Sequence, residues 1–165
     1  MRYRYARLVA LMAAPVLLTC VCAFGQAAPP SDTPATPGDG DLVFHHVLDN
    51  SVIDFSFKPD QKITEAVTAF HKTAVNPYNG NAEAIAAGKT SYDALCAACH
   101  LKDGTGRIGA NLIDDEYRYP QVATDKGMFE IIYAGGAGAM QAFGKRISQD
   151  DILHVMAYVQ KLRAK

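Results

Sequence analysis

The stretch SYDALCAACHLKDGTGRIG, residues 91–109, places two cysteines three positions apart and a histidine directly after the second one. On a helix, Cys96 and Cys99 would lie about one turn apart, with His100 next in the chain. Thiols and an imidazole at this spacing suit three kinds of site: a redox-active cysteine pair, a zinc site, or a group attached covalently to the chain. The surrounding sequence discriminates among the three.

The context of the motif argues against the first two kinds of site. A redox pair of this spacing normally belongs to a thioredoxin-like strand and helix pattern, whereas the flanking pattern here is helical. A structural zinc site needs four ligands, and no second cluster of cysteine or histidine occurs at suitable spacing. Cys-x-x-Cys-His is the attachment signature of c-type haem. We therefore predict one covalent haem c bound through Cys96 and Cys99, with His100 as the proximal iron ligand.

Residues 1–27 are predicted to form a signal peptide. The start, MRYRYAR, is basic, and the uncharged apolar run LVALMAAPVLLTCVCAFG and small residues follow it. A retained membrane anchor and a lipid attached at Cys20 are the alternatives. Residues 28–41 are rich in proline and glycine, which predicts a flexible linker.

Cleavage of this leader would change both the cysteine content and the charge. Cys96 and Cys99 would be the only cysteines left of four. Three of the sixteen basic residues and none of the seventeen acidic ones would be lost, so the formal charge would move from −1 to −4. A mildly acidic chain without clustered positive charge is not predicted to bind nucleic acid. We expect a periplasmic monomer without stable membrane insertion.

The remaining sequence predicts an all-α fold. A chain of 165 residues with 49% hydrophobic and 20% charged residues suits one globular domain. Residues 81–165 are predicted to form the haem domain, with helices starting at Asn81, near Asp125 and at Ser148. Ser148 and Asp151 have the spacing of a helix-capping pair.

Residues 42–80 are predicted to form an N-terminal extension to that domain. Residues 42–57 are rich in Val, Ile and Phe on either side of a turn sequence, which predicts a strand, a turn and a second strand. Residues 63–74 have helical periodicity, with Thr64 as the N-cap.

The sixth position on the iron needs a second ligand, and Met140 is the preferred candidate. It lies in AGGAGAMQAFGKRIS, residues 134–148, a glycine-rich loop between two helices that can bring a side chain onto the iron. Met156 belongs to the apolar stripe of the last helix, His154 lies beside that stripe, and Met128 is expected to pack beneath its own helix. An open sixth position is the remaining alternative.

The residues from about 82 to 162 resemble a class I cytochrome c. The pattern Gly88-x-x-x-Tyr92-x-x-x-Cys96 is similar to the first helix of that family, whose glycine and aromatic residue cross the last helix, here near Tyr158. The remaining matches lie around the expected haem, namely Gly104, Gly106 and Gly109 in the turn under the proximal histidine, Leu112 as a haem-packing residue, and Phe143-Gly144 after the distal ligand.

The sequence departs from the family pattern in two places. Ala110 follows Gly109 where the family usually has proline, whose carbonyl accepts the second N–H of the histidine. Because alanine retains the carbonyl, we expect it to orient His100 in the same way. Gln141 follows Met140 where the family often has proline, which predicts a looser ligand loop.

Within that family, three segments are similar to the cytochrome cL group: NPYNGNAEAIAAGKTSYDALCAACH, GRIGANLIDDEYRYP and DKGMFEIIYAGGAGAM. The resemblance extends upstream, since that group has a comparable extension. It implies a periplasmic single-electron carrier and not an enzyme, accepting electrons from a PQQ-dependent methanol or alcohol dehydrogenase. A downstream cytochrome c or terminal oxidase would receive them.

Two other functions stay open from the sequence. The chain could be a generic soluble electron shuttle, or a ligand-binding or peroxidatic haem protein if Met140 is labile. The dense stretch Asp114-Asp115-Glu116, followed by Tyr117 and Tyr119, could face a basic partner or be a solvated loop.

Overall fold

The regular structure of this protein is helical. The computed structural model describes residues 42–55 and 60–164, so the predicted signal peptide and linker, residues 1–27 and 28–41, lie outside the described residues. Within those ranges the helices are α1 (Glu65–Thr73), α2 (Ala82–Leu95), α3 (Ala97–His100), a 3₁₀ helix (Pro120–Ala123), α4 (Asp125–Ala134) and α5 (Gln149–Arg163). No helix in the described part of the chain is long and apolar enough to span a membrane.

The predicted all-α fold is confirmed, and the helices begin where the sequence places their caps. Each of four helices has a polar N-cap whose side chain accepts the backbone N–H three residues later; these caps are Thr64, Asn81, Thr124 and Ser148. At α5 the carboxylate of Asp151 also accepts from the backbone of Ser148, which completes the expected capping box. Local sequence therefore determines where these helices start.

Helices α2 and α5 cross closely at Gly88. A β-carbon built on Gly88 would overlap the backbone carbonyl oxygen of His154, so only glycine allows this approach. One turn further along α2, the ring of Tyr92 meets that of Tyr158 edge to face, with centroids 5.1 Å apart. The crossing expected between the first and last helices of the haem domain is therefore present.

Gly88→Ala is expected to lower the free energy of unfolding by about 3 kcal/mol, at the upper end for overpacked sites, because the obstacle is backbone that must move as a whole. Equilibrium urea unfolding of the haem-loaded protein measures this. Ala87→Ser, one exposed position earlier, should change stability by no more than about 0.5 kcal/mol. Equal effects of the two substitutions would contradict a tight crossing at Gly88.

In the described residues 42–55, the strand–turn–strand predicted for residues 42–57 is reduced to a single antiparallel bridge between His45 and Val52. The turn itself forms as expected: the carboxylate of Asp49 accepts from the backbone and hydroxyl of Ser51, and Asn50 has a φ of 59°. Beyond the bridge, Phe44 and Ile53 are buried in the protein core. Packing onto helices, and not pairing into a sheet, holds this segment.

The extension shares one hydrophobic core with the predicted haem domain. The ring of Phe129 on α4 lies 5.6 Å from that of Phe44 and 5.0 Å from that of Phe70 on α1. Phe55 meets Tyr133, one turn along α4, at 5.1 Å. Buried residues from both segments form one contiguous cluster. The boundary predicted at residue 80, between the extension and the haem domain, therefore stays a prediction from the sequence. In the described residues, the buried side chains on its two sides belong to one core.

Hydrogen bonds from distant parts of the chain support this packing. The carboxylate of Asp150 on α5 accepts from the hydroxyl of Thr64 at 2.6 Å and from that of Tyr78 at 2.9 Å. Glu130 on α4 is buried, pairs with Lys126 and accepts the backbone N–H of His45 at 2.8 Å. A buried carboxylate is tolerated when it is paired and hydrogen-bonded in this way.

Candidate functional site

One cavity of about 290 Å³ brings together all the predicted haem-site residues. It lies among α2, α3, α4, α5 and the loops that connect them. The cavity is lined by all eight residues that the sequence assigned to the haem or its iron, which are Cys96, Cys99, His100, Gly109, Ala110, Leu112, Met140 and Phe143. Apolar side chains from α4 and α5, including Ile131, Ile132 and Val159, complete the wall.

The two cysteines lie on the wall of the cavity as free thiols. Helix α2 ends at Leu95, Cys96 caps it, and α3 carries Cys99 and His100. Both cysteines are half-buried and are not joined in a disulfide. Burial, with a smaller contribution from Cys99, raises the pKa of the Cys96 thiol to about 11.

A raised thiol pKa is opposite to what the two rejected kinds of site require. Redox-active and metal-binding cysteines have lowered pKa values, because the thiolate is the reactive species. No group of three or more His, Cys, Asp or Glu side chains in the described part of the chain could hold a metal ion.

The imidazole of His100 is held in one orientation by the loop that carries Gly109 and Ala110. Its Nδ1 lies 2.8 Å from the carbonyl oxygen of Ala110, a group that only accepts hydrogen bonds, so Nδ1 is the donor and Nε2 is the nitrogen that an iron could use. Gly109 packs against the ring, since a β-carbon there would lie 2.5 Å from Cε1. The carbonyl of Ala110 therefore serves the purpose expected of it, despite the absence of the family's proline.

Met140 lies on the glycine-rich loop, which several hydrogen bonds connect to the rest of the protein. Gly136 donates to the carbonyl of Met140 at 3.1 Å, and Phe143 donates to Ile132 on α4 at 3.0 Å. Gln141, whose presence in place of proline predicted a loose loop, accepts from Arg146 at 3.1 Å. These hydrogen bonds tie the loop to α4 and to Arg146; the greater looseness expected from Gln141 in place of proline stays a prediction.

The other candidate iron ligands differ in where they lie. His154 stacks on Tyr78 with ring centroids 4.3 Å apart, and Met156 is fully buried in α5. Met128 is 3% exposed, yet it also lines the cavity. Its position on α4, inside a regular helix, gives it less freedom to approach a metal than a loop residue has.

Several residues at the cavity were not assigned to it from the sequence. The hydroxyl of Tyr119 accepts the backbone N–H of Ala137 at 3.0 Å and so holds the loop that carries Met140. Arg118, Arg146 and Arg163 also line the cavity. Arginines scattered along a sequence carry no pattern, so nothing short of the fold brings these three together.

The acidic and aromatic stretch after residue 113 divides into two parts. Asp115 and Glu116 are exposed, and Glu116 reaches the cavity rim. Tyr117 and Tyr119 are half-buried and line the cavity, with Tyr117 beneath the guanidinium of Arg163 at 5.2 Å. The aromatic residues therefore belong to the cavity wall, whereas Asp115 and Glu116 are exposed to a partner.

Comparison with known proteins agrees with this geometry. The family described as cytochrome C oxidase, cbb3-type, subunit III matches residues 83–159. The crystal structure of cytochrome CL from the marine methylotroph Methylophaga aminisulfidivorans is 41% identical, with a TM-score of 0.71 over 73% of this chain and 80% of that chain. The chain belongs to the cytochrome cL family. Cytochrome cL from Hyphomicrobium denitrificans is 31% identical, with a TM-score of 0.70 over 73% of each chain.

Membership of the cytochrome cL family covers more than the haem region. Cytochrome c-L of Methylorubrum extorquens is 27% identical over 139 residues, which are 84% of this chain and 71% of that protein. A match of that length is longer than residues 81–165, so it extends into the segment before them. As a cytochrome cL, the chain carries one covalent c-type haem and is an electron-transfer protein, not an enzyme.

Proposed function

We propose that this cytochrome cL accepts single electrons from a PQQ-dependent methanol or alcohol dehydrogenase and passes them to a downstream cytochrome c or terminal oxidase. The observation that carries the proposal is the cavity in which two thiols, an oriented imidazole and a loop methionine meet. The family likeness, which includes the extension, supports the choice of donor.

The residues of the cavity fit a covalent haem. Cys96 and Cys99 would form its thioether bonds, His100 would coordinate through Nε2, and Met140 would supply a sulfur on the other side. When bound, the haem supplies a one-electron iron centre. The carbonyl of Ala110 holds the proton at Nδ1 of His100, which fixes the ring and raises its basicity.

The chemistry of this ligand set favours electron transfer over ligand binding. A thioether and a neutral imidazole together favour the reduced state relative to two histidines. Phe143, Ile132 and the other apolar residues of the wall exclude water, and a dry environment also disfavours the extra charge of the oxidised state. If His100 and Met140 both bind the iron, no coordination position would be left for a substrate.

Stopped-flow reduction of the haem-loaded protein by purified PQQ-dependent methanol dehydrogenase tests the proposed donor. We expect a rate at least about tenfold greater than with a PQQ-dependent glucose dehydrogenase, which corresponds to about 1.4 kcal/mol in the barrier. Equal rates with both donors would indicate a generic shuttle. If neither dehydrogenase reduced the protein, PQQ-dependent dehydrogenases would be excluded as its electron donors.

Neutralising the acids beside the cavity is expected to slow this reaction. The triple variant Asp114→Asn, Asp115→Asn, Glu116→Gln should accept electrons about threefold to tenfold more slowly at low salt, because charge steers association, and its rate should depend less on salt. A control with the same charge change, Asp49→Asn, Glu65→Gln, Glu83→Gln, alters exposed acids that do not line the cavity. Equal slowing in both variants would mean that only net charge matters.

The proposed pathway also requires export. We propose that residues 1–27 are removed, that residues 28–41 form a linker, and that residues 42–80 and 81–165 form the extension and haem domain of a periplasmic protein. The intact mass of the protein isolated from a haem-maturing host identifies its first residue. A mass that includes the first 27 residues would favour a retained anchor, and a lipid mass would favour attachment at Cys20.

A further inference from the structure

The residue after His100 has an unfavourable backbone conformation. Leu101 has a φ of 60° and a ψ of 164°, a combination that is essentially restricted to glycine. Such strain persists only where neighbouring contacts hold the residue in place. Leu101 is the C-cap of α3. The contacts that hold Leu101 therefore also set the direction of the chain after His100, the proposed iron ligand.

This conformation is what returns the chain beneath the imidazole. After Leu101 the backbone reverses, so that Gly106 donates to the carbonyl of His100 at 3.0 Å and Gly109 donates to that of Cys99 at 3.1 Å. The same return places the carbonyl of Ala110 on Nδ1 of His100. If Leu101 relaxed to an ordinary conformation, the loop from residue 102 to 110 would leave on a different path.

The hydroxyl of Tyr92 is the side-chain group that holds the strained residue. Tyr92 lies on α2, is fully buried, and donates to the carbonyl oxygen of Leu101 at 2.8 Å. The backbone N–H of Gly104 reaches the same oxygen at 3.3 Å, which is a longer contact. Burial raises the pKa of Tyr92, so its hydroxyl remains a donor at any ordinary pH.

The aromatic ring and the hydroxyl of Tyr92 have separable roles. The ring packs against Tyr158 at the crossing of α2 and α5, a contact that phenylalanine would keep. The hydroxyl of Tyr158 lies 3.5 Å from the carbonyl oxygen of Lys102, at the outer limit of a hydrogen bond. Two tyrosines at one crossing therefore offer a strong and a weak contact to neighbouring carbonyls.

We propose that Tyr92 is a positioning residue for the axial histidine: its hydroxyl stabilises the strained Leu101 peptide and thereby keeps the carbonyl of Ala110 on His100. The inference rests on the proposed role of His100 as an iron ligand. It assigns a function to a hydroxyl that packing between the two helices does not need.

The test measures the exchange of the His100 Nδ1 proton with solvent by NMR in the reduced, haem-loaded protein. Tyr92→Phe should speed this exchange at least about fivefold, because the acceptor carbonyl is held less firmly. Tyr158→Phe, the matched control at the same crossing, should change it less than twofold. Equal changes in both variants, or none in Tyr92→Phe, would overturn the proposal.

Leu101→Gly provides the second measurement, because glycine adopts the same conformation without strain. In that background, adding Tyr92→Phe should speed the exchange less than twofold. The reduction potential should follow the same pattern. It should rise in Tyr92→Phe, because an imidazole with a weaker hydrogen bond is a less basic ligand. When residue 101 is glycine, adding Tyr92→Phe should leave the reduction potential nearly unchanged. A fivefold effect in both backgrounds would show that the hydroxyl does not act through Leu101.

These measurements are independent of the donor protein. They need only a haem-loaded chain and no dehydrogenase, so failure of the proposed electron donor would leave them unaffected. Conversely, a Tyr92→Phe variant with unaltered His100 exchange would overturn the positioning role while the electron-transfer proposal stood.

Discussion

Replacing both Cys96 and Cys99 by alanine is expected to abolish covalent haem attachment. The thiols are free, half-buried and on the wall of the cavity that fits the haem, and cleavage of the leader would leave no other cysteine to replace them. After expression in a haem-maturing host, intact mass spectrometry under denaturing conditions should find the polypeptide alone. Each single replacement should leave at most one thioether bond.

The leader supplies a matched control for the cysteine pair. Cys20→Ala with Cys22→Ala also removes two cysteines, but from the segment predicted to be cleaved. The mature protein should then have the same mass and the same covalent haem as the unaltered protein. Haem that survives denaturation of the Cys96 and Cys99 double variant would contradict the assignment of the motif.

Met140→Ala is expected to remove the sulfur ligand and lower the reduction potential. The weak long-wavelength absorption band of methionine-ligated ferric haem should disappear. Axial ligands set haem potentials across a range of roughly 0.8 V, and we expect a fall of more than about a tenth of that range, because water or a nitrogen donor would replace the thioether. Optical titration against redox mediators measures both effects on one sample.

Met128 is the appropriate control, since it is the other methionine on the cavity wall. Met128→Leu conserves volume and should retain the band and the potential, at a stability cost below about 1.5 kcal/mol. If the band persisted in Met140→Ala and disappeared in Met128→Leu, the distal ligand would be Met128 and the assignment of Met140 would be wrong.

The parts of the site that can be inferred from the sequence depend on neighbours along the chain. The haem motif, the polar helix caps and the glycine that admits the α5 backbone are short patterns whose meaning is fixed by stereochemistry. His100 and Ala110 are ten residues apart, and the family resemblance supplies the turn between them. These features can be inferred without knowing the rest of the fold.

The features that the sequence did not predict all join residues that are distant in the chain or lack a pattern. Tyr119 supports the Met140 loop from 18 residues before its partner, Ala137. Asp150 accepts from Thr64 across 86 positions. The strands predicted in the extension are reduced to one bridge in its described part for the same reason: β-branched and aromatic residues suit a strand, but here helices are available to bury them. Tertiary contacts decide such cases.

Helix α4 contacts both the haem cavity and the N-terminal extension. One side of it, with Met128, Ile131 and Ile132, lines the haem cavity, while Phe129 and Tyr133 on the other side pack against aromatic rings of the extension. A minimal version of this cytochrome could therefore not be produced by truncation alone. Losing the extension would uncover the large aromatic side chains of Phe129 and Tyr133 on the helix that lines the haem cavity.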